Sequence, residues 1–228
     1  MTVGNQGSEP RGGTDRDGTQ QGALVQRMQL IAMAQGLDLG EVRAVAGSYD
    51  DVEAGSGRGP IIVSPRTDGM FHVRFQLHRT FPLSEGWTNE LVAVVEAAAL
   101  WRRGCGLREL HEHFPFMSWS ELAQAFEDGN PVPTKWGELL SSAWHLSDRP
   151  FLQAAHDHPE LRLFYPDMSH GSLMLSRKPF DMDSGLVKIN PLSGGDYRVT
   201  MFPGNFRQEV TSLNEALEIA AACFRPLG

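Results

Sequence analysis

The chain has 228 residues, of which 41% are hydrophobic and 21% charged, and its formal net charge is −8. This composition is typical of a globular protein and argues against disorder over the whole chain. The net negative charge, with Lys and Arg scattered along the sequence, argues against binding to nucleic acid or anionic membranes. Proteins that bind phosphate groups usually have a cluster of basic residues on their surface. No apolar run reaches the ~18 residues that span a bilayer, and the N-terminus lacks the layout of a secretory signal, so we expect a cytoplasmic protein.

The first third of the sequence predicts a disordered tail followed by a helix, a hairpin and a second helix. Residues 1–22 hold almost no large apolar side chain, so they cannot bury enough surface to offset the entropy lost on ordering. After the turn residues Asp68-Gly69, apolar and polar residues alternate, which is typical of a strand with one buried face. The predicted elements are a helix from Ala23, a loop over residues 48–59, strands over 60–63 and 70–77, and a helix over 88–103.

Helical patterns fill the middle of the sequence, residues 104–159. Ser118, with Glu121 three residues later, forms a capping-box pattern, in which each side chain bonds the backbone of the other residue. Asp148 followed by Pro150 predicts the start of a later, short helix. We therefore expect a helical insert between two segments that contain strands.

The C-terminal part repeats the pattern of the first hairpin and helix. Predicted strands cover residues 186–189 and 197–202, and Ser212 with Glu215 opens the last helix through a second capping box. This hairpin aligns on the first without a gap at an offset of 126 residues, and the helices align at an offset of 123. The match predicts an internal duplication of a ββα unit with a pseudo-twofold relation, although two amphipathic hairpins can share such a pattern by chance.

The predicted fold class is α+β, with two ββα units and a helical insert between them. The first unit and its N-terminal helix cover residues 23–103, the insert covers 104–159, and the second β-rich unit covers 160–228. Behind a tail of residues 1–22, we expect residues 23–228 to form one compact domain.

The segment over residues 163–177 concentrates side chains that could take part in catalysis. His170 lies on a predicted tight turn beside a strand and is a candidate general base, because imidazole exchanges a proton near neutral pH. Arg177 or Tyr165 could stabilise a developing negative charge. Ser172 is the fourth candidate catalytic residue, although no GxSxG motif supports a hydrolase. Alternatively, His170 and Ser172 only cap the turn by bonding the backbone.

Histidines form two His-x-His pairs in the middle of the chain. The pairs are His111 with His113 and His156 with His158. Their place near predicted helix ends favours capping of carbonyl groups over a metal site. We expect neither a metal nor a cofactor.

Four tryptophans are candidate substrate-binding residues, because indole rings commonly line ligand pockets. The alternative is that they anchor the helices in the core. They are Trp101, Trp119, Trp136 and Trp144.

Three blocks of the sequence carry a family resemblance. They are residues 101–104 with 107–110 and Phe114-Pro115-Phe116; Tyr165-Pro166 with Ser169-His170-Gly171-Ser172-Leu173 and Ser176-Arg177; and Pro191, Gly195 and Tyr197-Arg198-Val199 with the closing helix. On these blocks, residues 90–225 resemble an uncharacterised actinomycete family of natural product biosynthesis proteins that carries a domain of unknown function.

The resemblance implies a role in clusters that make ribosomal, modified peptides of the lanthionine type. The first hypothesis is a tailoring protein that promotes ring closure, with His170 as base, Arg177 or Tyr165 steadying the enolate, and a Trp-lined groove or sheet edge holding the precursor peptide. The second is a non-catalytic scaffold for a biosynthetic kinase, lyase or precursor peptide, and the third is a small-molecule isomerase or cyclase. The implied partners are the precursor peptide or other proteins of the cluster, and a homodimer or hetero-complex stays open.

Overall fold

The structure, a computed structural model, describes residues 17–48, 50–78 and 81–225. The chain forms two compact units, Met1–Ser120 and Glu121–Gly228, and each combines helices with one antiparallel sheet. The α+β class predicted from the sequence is therefore confirmed. In the described part of the chain, no helix is long and apolar enough to span a membrane.

The first unit contains a sheet of six strands that follow one another in chain order, β1-β2-β3-β4-β5-β6. Short turns permit this meander, such as the one at Asp68-Gly69, where Gly69 has a φ of +84° that side-chain-bearing residues rarely adopt. The elements are α1 (Asp17–Gln35), β1 (Val42–Ala44), β2 (Val52–Ala54), β3 (Ile61–Pro65), β4 (Phe71–His78), β5 (Phe81–Thr88), α2 (Leu91–Arg102), α3 (Leu107–His113) and β6 (Met117–Ser118).

The core of the first unit lies between one face of this sheet and the helices. Val73 and Phe75 of β4 point into it and are fully buried, as is Met28 of α1. Trp101 of α2 stacks on Phe75 with the ring centroids 5.0 Å apart. The alternation predicted for β4 thus separates a buried face from a polar one.

The second unit contains a sheet of five strands in the order β11-β10-β9-β8-β7. One half of the capping box predicted for its last helix is present, because the Ser212 hydroxyl accepts a hydrogen bond of 3.3 Å from the Glu215 N–H. The elements are α4 (Glu121–Glu127), α5 (Pro131–Ser141), α6 (Arg149–Asp157), β7 (Tyr165–Ser169), β8 (Ser172–Ser176), β9 (Leu186–Pro191), β10 (Tyr197–Phe202), β11 (Arg207–Val210) and α7 (Leu213–Phe224), with 3-10 turns at Ala143–His145, Leu161–Leu163 and Met182–Ser184.

The core of the second unit is formed where α5, α6 and α7 meet the sheet. Helix α7 buries Leu217 and Phe224, and α6 buries Leu152. The Phe224 ring stacks on Phe164 with centroids 3.7 Å apart. These contacts hold the C-terminal half of α7 against the sheet.

Each predicted hairpin is followed by a third strand before its helix. β5 lies between β4 and α2, and β11 lies between β10 and α7. Two strands also precede each hairpin, β1 and β2 in the first unit and β7 and β8 in the second. β2 lies inside residues 48–59, where the sequence predicts a loop. Each sheet therefore has more strands than the two of a ββα unit.

The capping box predicted at Ser118 is wrong. Ser118 belongs to the short strand β6, which pairs with β5. Its hydroxyl donates a hydrogen bond of 3.2 Å to the carbonyl oxygen of Glu85, so it does not cap the helix that begins at Glu121. Pairing with a neighbouring strand has replaced the local bond.

The segment boundaries also differ from the predicted ones. α1 begins at Asp17, before the predicted start at Ala23, and residues 1–16 of the predicted tail lie outside the described residues. The predicted insert, residues 104–159, is divided: α3 and β6 belong to the first unit, and α4, α5 and α6 belong to the second. The chain thus has two compact units where the sequence predicts one domain over residues 23–228.

Candidate functional site

His170, the predicted general base, lies on the turn of the β7–β8 hairpin. Ser169 pairs with Ser172, so His170 and Gly171 alone form the loop. Both have positive φ, 50° and 72°, as a two-residue type I′ turn requires. The His170 side chain is exposed at the tip. Neither His170 nor Ser172 bonds the turn backbone through its side chain in the described part of the chain, so the alternative in which they cap the turn is not seen either.

Tyr165 and Arg177 lie at the other end of this hairpin. Tyr165 pairs with Ser176, and Arg177 follows directly. The length of β7 separates this end from His170, roughly 15 Å at the usual rise of a strand. The structure therefore brings Tyr165 and Arg177 to one end and does not bring His170 to them.

Tyr165 is buried beside two phenylalanines. It is 5% exposed, and its ring centroid lies 5.8 Å from that of Phe126 and 6.0 Å from that of Phe180. Burial raises the pKa of the Tyr165 phenol well above its usual range, and the negative charges of Asp167 and Glu138 add to this effect. The phenol therefore stays protonated at physiological pH and could act only as a hydrogen-bond donor or acceptor.

Ser172 is a buried residue that bonds across the sheet. It is 1% exposed, and its hydroxyl donates a hydrogen bond of 2.6 Å to Oδ1 of Asn190 on β9. An amide oxygen cannot take the hydroxyl proton, so this contact does not activate the serine as a nucleophile. The geometry assigns Ser172 to the support of the sheet.

The four candidate tryptophans do not line a common pocket. Trp101 and Trp136 are 0% and 1% exposed and fill the cores of different units, so they present no surface to a ligand. Trp119 is half-buried and meets the His111 ring edge-on at 5.5 Å. Trp144 is 92% exposed. The groove predicted from these side chains is corrected accordingly: Trp101 and Trp136 are core residues.

Three of the four paired histidines hydrogen-bond backbone groups, and the buried Nδ1 of His156 has no hydrogen-bond partner in the described part of the chain. His111 Nδ1 lies 2.6 Å from the Met117 carbonyl oxygen, and His113 Nδ1 lies 2.9 Å from that of Glu109. His158 Nδ1 accepts from backbone N–H groups of the following turn. Among the described residues, no three side chains of His, Cys, Asp and Glu are grouped as a metal site requires.

An open, mostly apolar groove lies beside the C-terminal half of α7, and we name it the α7 groove. Its volume is about 680 Å³, within the range of ligand-binding clefts. It arises because α7 buries one stripe against the sheet while further apolar side chains remain on its flank. The lining residues are Arg177, Met201, Phe206, Gln208, Ile219, Ala222, Cys223 and Arg225.

Two arginines give the α7 groove a positive rim. Arg177 donates a hydrogen bond to the Phe224 carbonyl oxygen, and its guanidinium lies 5.6 Å from the centre of the Phe224 ring. No carboxylate among the described residues lies within ion-pair distance of Arg177. Arg225 instead binds Glu160 through two contacts of 3.0 and 2.5 Å, and these hydrogen bonds lower the pKa of the Glu160 carboxyl. Arg177 therefore supplies the charge that a ligand can neutralise.

Cys223 places a thiol on the wall of the groove. The residue is half-buried, and burial raises the pKa of its thiol. The thiol is therefore protonated at neutral pH, which makes it a weak nucleophile and a weakly polar part of the apolar wall.

The sequence held one indication of this groove. Helix α7 carries Ile219 and Cys223 outside the apolar stripe that packs on the sheet. Such a wide apolar surface indicates a second contact face on a helix. Of the predicted site residues, only Arg177 lines the groove.

Part of the second unit matches a known family model. Residues 130–224, which lie within the second unit and include α7, match the model of a family of unknown function (DUF6193). A domain of unknown function, as the resemblance implies, is thus confirmed in this part of the chain. No curated protein and no solved structure matches the chain.

Proposed function

We propose that the chain is a non-catalytic binding protein and that its second unit holds an apolar, acidic peptide segment in the α7 groove. The observation that carries the proposal is the pairing of an apolar cleft with Arg177, a guanidinium that has no carboxylate partner among the described residues. Apolar side chains of the peptide would fill the cleft, and a carboxylate would bind Arg177.

The edge of the sheet supports a peptide as the occupant. β11 is the outermost strand of the second sheet and pairs only with β10 among the described residues. An extended peptide can add to such an edge through its backbone while alternate side chains enter a neighbouring cleft. Gln208 of β11 and Phe206 before it line the α7 groove, so the edge and the cleft adjoin.

The positions of the candidate catalytic residues favour binding over ring closure. Addition of a thiol to a dehydroamino acid needs a base and an anion-stabilising donor around one reacting atom. His170 and Arg177 lie at opposite ends of the β7–β8 hairpin. We therefore favour the scaffold hypothesis over cyclisation. In the biosynthetic setting that the family resemblance implies, the occupant would be a precursor peptide or a segment of another biosynthetic protein.

The first test uses 1-anilinonaphthalene-8-sulfonate, an apolar anion that fluoresces in apolar sites, with the full chain. We expect saturable binding that Ile219→Glu weakens about tenfold, because it places a negative charge in the apolar cleft and repels the anionic probe. Leu163→Glu is the matched control, since Leu163 is 68% exposed in the same unit and does not line the groove. Equal loss in both variants would contradict the site.

A second test reads the groove through Cys223. Alkylation by iodoacetamide, followed by peptide mass spectrometry, should modify Cys223 slowly at neutral pH because its thiol pKa is raised. Bound 1-anilinonaphthalene-8-sulfonate should slow the reaction further. An unchanged rate at saturating probe would place the probe elsewhere.

We also propose that the two sheets are copies of one ancestral unit. The proposal is supported by the pairing register: Val63 pairs with Val73 in the first hairpin, and Ile189 pairs with Val199 in the second. Each residue of the second pair lies 126 residues after its counterpart in the first pair, which is the offset of the sequence alignment. The repeated unit is then a five-strand meander followed by a helix, larger than the ββα unit that the sequence predicts. Sequence profiles built separately for the two halves should match at this offset, and a best match at any other register would contradict duplication.

A further inference from the structure

The polar face of the first unit's sheet contains a second groove, distinct from the α7 groove. We name it the β-face groove. Its volume is about 480 Å³, and loop residues after β1 form one of its walls. Charged and amide side chains dominate the lining: Arg43, Asp51, Glu53, Arg74 and Gln76, above the apolar Ile62.

Gln76 is buried on this face without a hydrogen-bond partner for its side-chain amide in the described part of the chain. It is 7% exposed, and its remaining exposed surface opens into the groove that it lines. A primary amide has two donors and an acceptor, and the polar atoms of the Gln76 amide keep some accessible surface. A polar ligand bound in the groove would replace water as their partner.

The backbone at Gln76 is fixed in an irregular conformation. The register of β4 and β5 shifts on both sides of Gln76, which marks a β-bulge. The Gln76 N–H donates a hydrogen bond of 3.0 Å to the Pro60 carbonyl oxygen. A Cβ on Gly59 would lie 2.0 Å from the Gln76 carbonyl oxygen, so only glycine fits there. Bulges commonly redirect a side chain beside a functional site, and here the bulge directs the amide of Gln76.

The charges that flank Gln76 balance one another. Arg43 and Glu53 form an ion pair of 2.9 Å, and Arg74 lies 3.8 Å from Asp51. Nη2 of Arg74 donates to a serine hydroxyl, but its Nε is buried and has no hydrogen-bond partner. The groove therefore holds two positive and two negative groups.

We propose that the β-face groove binds a free α-amino acid. Its carboxylate would accept hydrogen bonds from the guanidinium of Arg74 and from the Gln76 amide, and its ammonium group would bind the carboxylates of Asp51 and Glu53. A zwitterion carries one group for each kind of charge in the groove. A simple anion would be repelled by the two carboxylates, and a simple cation by the two guanidinium groups. This site lies in the other unit from the α7 groove and does not depend on the proposed peptide binding.

The test is isothermal titration calorimetry of the full chain with each proteinogenic amino acid, and with acetate and ethylamine as single-charge controls. At least one amino acid should bind with a Kd below about 1 mM, and acetate and ethylamine at least tenfold more weakly. No binding of any amino acid at about 10 mM overturns the proposal. Acetate binding as tightly as the best amino acid overturns it as well.

Two variants assign the binding to this groove. Gln76→Leu should weaken the best amino acid at least tenfold, about 1.4 kcal/mol, whereas Gln153→Leu, an exposed glutamine of the second unit, should not. Should Gln76→Leu fail to fold by circular dichroism, Glu53→Gln replaces it, with the same expected loss. Full affinity in a folded Gln76→Leu or Glu53→Gln variant overturns the site.

Discussion

The role of Ser172 can be measured through the stability of the second unit. Ser172→Ala removes the hydroxyl that donates 2.6 Å to Asn190 Oδ1 in a position that is 1% exposed. The amide oxygen then loses its donor. Because Asn190 is only half-buried, water can partly replace the bond. We expect the free energy of unfolding to fall by about 1–1.5 kcal/mol, the lower part of the range for a lost buried hydrogen bond.

The assay is urea unfolding followed by circular dichroism, with each transition fitted separately. Ser193→Ala is the matched control, because Ser193 is exposed in the β9–β10 turn of the same sheet, and its effect should stay within about 0.5 kcal/mol.

A double-mutant cycle with Asn190→Ala isolates the bond itself. We expect a coupling energy of about 1 kcal/mol between Ser172 and Asn190. A coupling energy near zero, or a Ser172→Ala variant as stable as the wild type, would refute the assignment of Ser172 to the support of the sheet.

Three further predictions concern single residues. Gly86→Ala should lower the free energy of unfolding in urea by about 1–3 kcal/mol, because the added Cβ would lie 2.1 Å from the Phe116 carbonyl oxygen. Gly137→Ala, in open space on α5, should raise the free energy of unfolding by up to about 1 kcal/mol. Equal effects of the two substitutions would contradict the close packing at Gly86. His170→Gly should raise the free energy of unfolding by about 0.5 kcal/mol, because it relieves the left-handed φ of 50°, and it should leave probe binding intact; a loss of binding would return His170 to the site. Since the pKa of the Tyr165 phenol is raised on folding, the folded chain holds its proton more tightly, and this stabilisation is present below about pH 10 and declines above it. Unfolding measured from pH 9 to 11 should show that decline in the wild type and less of it in Tyr165→Phe, and parallel profiles would contradict the burial effect.

The sequence predicted the elements whose burial follows a regular period. α7 forms with the predicted apolar stripe and a Ser212 cap, and β4 alternates as predicted as far as Phe75. Beyond Phe75 the prediction is wrong, because the bulge at Gln76 leaves Leu77 39% exposed. β5 was missed because its buried positions include Ser84, Gly86 and Thr88, which give no hydrophobic pattern. β11 was missed because only Val210 of the strand is buried. β5 and β11 are stabilised by hydrogen bonds to neighbouring strands, and a local sequence pattern does not reveal such pairing.

The candidate site was less predictable than the fold. The cluster of polar residues around His170 is compact in sequence, but a hairpin places its two ends far apart. The α7 groove combines Arg177 with residues of β10, β11 and α7, and no local motif joins them. Gln76 gave no indication either, because its burial depends on a β-bulge and on Gly59.

Selection of random peptides by phage display on the immobilised full chain tests the central claim most directly. Counter-selection uses Ile219→Glu, and Leu163→Glu is the control for added charge. The account predicts that peptides enriched on the wild type and on Leu163→Glu share apolar residues with an acidic side chain, and that Ile219→Glu and Arg177→Gln no longer retain them. Peptides that bind Ile219→Glu as well as the wild type, or a selection that yields no shared sequence, would contradict peptide binding in the α7 groove.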